Sequence, residues 1–131
     1  MSAAIQPIHS DEDDFGLPGW IYHDPEFFEL EKRSIFRTSW QLVCHNNDIP
    51  QVGDYHRFDL FNESVVTVRG KDGKLRSFHN VCRHRASRLL DGQKGNCGQM
   101  ISCPYHRWTY SLEGKLIGVP QRDSFNNLDM T

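Results

Sequence analysis

The chain reads as an all-β domain preceded by one short helix. Three observations predict this. Seven short β-rich runs follow one another after Trp40, two hairpin signals (Asp72-Gly73 and Glu113-Gly114) sit between runs, and a single helix start, Asp24-Pro25, precedes them all. With 131 residues and 37% hydrophobic content, the chain has material for one compact core. Residues 1–19 read as a flexible N-terminal tail, since the acidic run Asp11-Glu12-Asp13-Asp14 and the Leu17-Pro18-Gly19 break both oppose regular structure. Residues 20–40 hold the helix and its lead-in. Asp24 is a favourable N-cap, Pro25 suits the first helical position, and Glu26, Glu29 and Glu31 suit the positive end of a helix dipole. The spacing of Phe28, Ile35 and Phe36 predicts a helix over 25–37, with Glu29 paired to Arg33 and Trp40 packing just past the end.

The domain proper is expected over 41–120, with strands at 41–44, 54–60, 65–69, 75–81, 100–103, 108–111 and 115–119. Several short strands at this spacing predict an antiparallel sandwich or barrel. No apolar run approaches the roughly 18 residues of a membrane helix, and Met1–Ser10 lacks the basic start and apolar stretch of a signal peptide. The expectation is therefore a cytoplasmic protein with no membrane partner. In a reducing compartment, four cysteines among seven histidines point to metal more than to disulfides.

Two pairs carry the chemistry. Cys82-Arg83-His84 is Cys-x-His, Cys103-Pro104-Tyr105-His106 is Cys-x2-His, and 18 residues separate His84 from Cys103. Each pair follows a predicted strand, so neighbouring loop tips would each present one thiolate and one imidazole to a shared site. The other cysteines have no histidine at ligand spacing: Cys44 is adjacent to His45 and reads as a buried strand residue, and Cys97 as a loop thiol. His9, His23 and His56 have no evident partners.

The segment NVCRHRASRLLDGQKGNCGQMISCPYHRWTYSLEGKLIGVP, from Asn80 to Pro120, resembles the Rieske domain of aromatic ring-hydroxylating oxygenase alpha subunits. The resemblance extends over roughly residues 17–120. It implies a Rieske-type antiparallel sandwich with two cluster-binding loops and a 2Fe-2S cluster held by Cys82, His84, Cys103 and His106. The two histidines would ligate an outward iron and the two cysteines a deeper one. Arg107 and Ala86 depart from the pattern, standing where the family commonly has Gly. Within Rieske proteins, cytochrome bc-type members carry an extra cysteine in each loop and a serine at the cluster. Here Ser87 and Tyr105 occupy the cysteine positions and Trp108 the serine position, which implies the lower, oxygenase-type end of the potential range. Tyr110 is implied to hydrogen-bond a ligand cysteine, or else is an aromatic strand residue of the core.

Charge is distributed unevenly. Residues 74–107 hold seven Lys/Arg (Lys74, Arg76, Arg83, Arg85, Arg88, Lys94, Arg107) against Asp91 alone, a net of +6 in a chain whose total is −2. No nucleic-acid motif accompanies these residues, so nucleic acid is not an expected partner. A solvated basic loop and an electropositive collar about a redox centre, in which Arg85 adjoins His84, are the two readings.

Family alpha subunits also hold a mononuclear Fe(II) with two histidines and a carboxylate. The one matching His-x4-His here, His79 to His84, reuses a cluster ligand and has Arg76 at the acidic position. No complete catalytic site is therefore expected in these 131 residues, and residues 121–131 read as the start of a connection to a catalytic domain. The resemblance implies electron transfer from a ferredoxin or flavin reductase to that iron, and a trimer-like homo-oligomer for a full-length protein. The alternatives are a freestanding Rieske-type ferredoxin and a structural zinc site using the same ligands.

Overall fold

The structure, a computed structural model, describes residues 16–125 and Leu128. The expected tail falls largely outside the described residues, as does His9. The chain divides into two compact units, the first ending at Leu42 and the second beginning at Val43.

In the first unit a 3-10 turn, Gly19–Tyr22, leads into helix α1, Pro25–Glu31. Asp24 caps it as the sequence predicts, its carboxylate accepting from the Phe27 N–H at 2.8 Å. The last turn widens into a π turn over Lys32–Phe36. The helical run thus spans the predicted length, but Glu29 pairs with Lys32 rather than Arg33, and Trp40 is fully exposed rather than packed. Residues 41–44 form no strand. There the Gln41 side-chain amide turns back to donate to the Phe36 carbonyl at 2.9 Å, tying the segment to the helix end. Cys44 is accordingly half-buried and outside any strand.

The second unit is all-β. Its strands are β1 (Asp54–Leu60), β2 (Glu63–Arg69), β3 (Leu75–His79), β4 (Lys94–Asn96), β5 (Met100–Ser102), β6 (Thr109–Ser111) and β7 (Leu116–Gly118). They form a four-stranded antiparallel sheet in the order β3-β2-β1-β4 and a three-stranded one in the order β5-β6-β7. The β-branched run Val65, Val66, Thr67, Val68 makes β2 a central strand, with Val66 and Val68 fully buried. Both sheets contribute to one core, in which Tyr55 and Val68 join Ile101, Tyr110, Leu112 and Leu116.

Strand β4 is absent from the expected set because Lys94-Gly95-Asn96 has no β propensity. Its pairing with β1 forms it, with Gly95 opposite Tyr55. A Cβ on Gly95 would meet the Tyr55 hydroxyl at 3.0 Å, so the missing side chain gives the ring its place. Cys97, just past β4, is a half-buried loop thiol that donates to the Gly53 carbonyl at 3.2 Å.

Candidate metal centre

The two Cys/His pairs lie on loops with the same backbone design. Cys82 N–H donates to the Ser87 carbonyl (2.8 Å), and Ala86 N–H donates to the Cys82 carbonyl (2.9 Å). Cys103 N–H donates to the Trp108 carbonyl (2.8 Å), and Arg107 N–H donates to the Cys103 carbonyl (3.0 Å). Each loop therefore closes four and five residues after its cysteine, immediately beyond β3 or β5. The closing residue is left-handed in both, Ala86 at φ 52° and Arg107 at φ 60°. Those are the two positions where the sequence departs from glycine, and a Cβ there costs on the order of 1 kcal/mol. Ala86→Gly is expected to raise the unfolding free energy by up to about 1 kcal/mol in chemical denaturation, with the β fold unchanged. No gain would show that the turn carries no strain.

The loops sort their donors by depth. Cys82 and Cys103 are 2% and 1% exposed and belong to the core cluster, whereas His84 and His106 are only partly buried. The imidazoles face each other, ring centroids 4.8 Å apart. Burial alone would push the Cys103 thiol up, but the backbone N–H groups of His106 and Tyr105, with the Cys82 and Ser87 side chains, outweigh it, so the thiol lies below its ordinary value. A thiolate is thus favoured at the base of the site. In contrast, burial pushes the Cys44 and Cys97 thiols up. Loss of solvation, then the neighbouring His106 and Arg85, push His84 down, which keeps a neutral imidazole available. His106 Nδ1 is buried with no hydrogen-bond partner among the described residues, a polar atom with no assigned use.

Tyr110 combines both roles read for it. It is 6% exposed within the core, and its hydroxyl lies 3.3 Å from Cys82 Sγ while accepting from Arg83 N–H at 3.1 Å. Burial and the Cys82 contact push its pKa up to about 12, so it stays protonated and can donate to a thiolate sulfur. Trp108 stacks on His84 at 4.8 Å and 4°. Arg83, Arg85, Arg88 and Arg107 are exposed on or beside the loops, and Lys94 is exposed on β4.

Sequence reasoning missed two residues. Ser87, read only as the replacement of a disulfide cysteine, lies beside Cys103, while its hydroxyl donates to the Arg88 carbonyl at 3.3 Å. Phe125 lies edge-on to both His84 and Trp108. Neither has a signal in local spacing. His56, on β1 opposite Thr67 and Lys94, has its Nδ1 buried without a hydrogen-bond partner among the described residues.

The donor set of two thiols and two imidazoles, with an orphaned imidazole nitrogen and a favoured thiolate, fits a two-iron, two-sulfide group. Among the described residues, no three His, Cys, Asp or Glu side chains gather closely enough for a single metal ion. A two-iron group asks for only two protein ligands per iron, the sulfides supplying the rest.

Comparison with known proteins gives the same family. The model of the Rieske [2Fe-2S] domain matches residues 39–129. The glycine betaine monooxygenase oxygenase subunit of Chromohalobacter salexigens is 40% identical over 119 residues, 91% of this chain and 26% of that protein. A solved quaternary ammonium Rieske monooxygenase bound to gamma-butyrobetaine superposes with a TM-score of 0.80 at 40% identity, over 86% of this chain and 32% of the other. Naphthalene 1,2-dioxygenase from Rhodococcus sp. gives a TM-score of 0.80 at 34% identity, over 87% and 26%. The chain spans about a quarter to a third of the length of these relatives.

Proposed function

The chain belongs to the Rieske [2Fe-2S] domain family, and from that premise we propose that Cys82, His84, Cys103 and His106 hold the cluster and that the domain passes single electrons within a Rieske oxygenase. The observation that carries this reading is the paired loop design, which puts two thiols in the core and two imidazoles toward the surface. When bound, the cluster supplies a one-electron couple whose potential is raised by having histidines in place of two thiolates. Cys82 and Cys103, in the core, would hold it as thiolates, and His84 and His106, nearer the surface, would complete the ligand set with their imidazoles. The Tyr110 hydroxyl would donate toward Cys82 sulfur, a hydrogen bond that favours the reduced state.

The electron donor is a ferredoxin or flavin reductase, and the acceptor a mononuclear iron in the catalytic part of the oxygenase, in a trimer-like homo-oligomer in the cytoplasm. Among the described residues no helix is long and apolar enough to cross a membrane. Ring hydroxylation is the activity the sequence resemblance implies. Quaternary ammonium compounds and aromatic compounds are the two substrate classes for the enzyme this domain serves, since relatives of 40% and 39% identity are named for one of each.

The exposed Arg83, Arg85, Arg88, Lys94 and Arg107 form the surface on which an acidic donor docks. Stopped-flow reduction by a ferredoxin tests electron transfer and docking together. One electron is expected per chain, at a rate that falls as salt rises. In the Arg88→Glu/Lys94→Glu protein the rate is expected to be slower and its salt dependence flatter, with spectrum and potential unchanged. An unchanged rate at both salt levels would make the collar a solvated loop, and no reduction at all would reject the electron-transfer reading.

A further inference from the structure

We propose that Trp108 and Phe125 act as a positioning pair that fixes the plane of the His84 imidazole, an inference that rests on His84 being a cluster ligand. A ligating histidine is ordinarily oriented by a hydrogen bond from its second ring nitrogen to a carboxylate or carbonyl. Among the described residues the His84 ring has no such partner. Aromatic surfaces hold it instead. Trp108 lies parallel to it, centroids 4.8 Å apart at 4°. Phe125 meets it edge-on at 5.8 Å and 84°. The two clamping rings also brace each other, at 5.5 Å and 80°.

The clamp is anchored where the ligand is not. Trp108 is 5% exposed and part of the core, so its indole is a fixed plate, whereas His84 sits on a turn with exposed neighbours. Stacked and edge-to-face pairs have preferred geometries and resist rotation of the smaller ring. His106, the other imidazole, is held differently: the half-exposed Tyr105 lies 3.7 Å from it, tilted by 33°. The two histidines thus differ in how firmly they are held, and His84 is the one held from the interior. Phe125 follows β7 by several residues and packs against the core, so the stretch of chain that leaves the last strand supplies one wall of the outer ligand.

The test compares Trp108→Leu, Trp108→Phe and Phe125→Leu with the parent, each as the cluster-loaded protein. The readouts are the electron paramagnetic resonance line shape of the reduced cluster and the rate of iron release to a chelator. Trp108→Leu is expected to broaden the g features, because the freed imidazole samples several orientations, and to speed release about five-fold, the scale of one lost aromatic pair. Trp108→Phe is expected to restore the line shape, and Phe125→Leu to broaden it less. A role confined to core packing would lower the unfolding midpoint and leave the line shape as in the parent, and that result overturns the proposal. Should Trp108→Leu fail to fold, the half-buried Phe125→Leu decides on the same criterion. A parent protein without iron and sulfide would instead reject the cluster reading beneath it.

Discussion

Replacing either candidate histidine by cysteine, His84→Cys or His106→Cys, is expected to lower the reduction potential by on the order of 100 mV or more. The reason is charge. Two cysteinates and two sulfides balance two ferric ions, so neutral histidines leave the oxidised cluster at net zero, and an added thiolate makes every state more negative and the added electron less welcome. His84 is suited to the neutral role, since loss of solvation and its neighbours push it below its ordinary value. The imidazoles also lie nearer the surface than the thiols, so the swap changes charge where a partner approaches. A redox titration checks it. An intact cluster with the parent potential would show that the mutated histidine is not a ligand.

Cys103→Ser is expected to abolish the cluster outright while leaving the β fold in place. Cys103 is 1% exposed, and the groups around it favour a thiolate. Serine replaces that sulfur with a hydroxyl that stays protonated at neutral pH and ligates iron poorly. The loop itself survives, because its closing hydrogen bonds run through the backbone of Cys103, Arg107 and Trp108. Iron content should fall to background with the far-ultraviolet circular dichroism unchanged. Full retention of iron and sulfide would remove Cys103 from the ligand set.

Much of this was legible in the sequence because the signals are local. Cys-x-His and Cys-x2-His each sit within one turn, and the Asp24 cap and the Asp72-Gly73 and Glu113-Gly114 turns are decided by a few adjacent residues. Strand β4 was not legible, since its three residues gain strand structure only from pairing with β1. The run at 41–44 erred in the opposite direction: apolar residues suggest a strand, but no partner strand lies alongside, and Gln41 bonds back to the helix. Ala86 and Arg107 were visible as departures from glycine, but their left-handed backbone follows from loop closure across five residues. Ser87 beside Cys103 and Phe125 beside His84 are contacts between segments far apart in the chain, for which spacing carries no trace.

The central claim is that four residues on two matched loops hold two irons and two sulfides. Elemental analysis of freshly purified protein, with acid-labile sulfide and zinc measured on the same sample, tests it most directly. The expected result is a red-brown protein with about two irons and two sulfides per chain, and, once reduced, the low average g value of a histidine-ligated cluster. Stoichiometric zinc with neither iron nor sulfide would contradict it and would make the same four residues a structural zinc site.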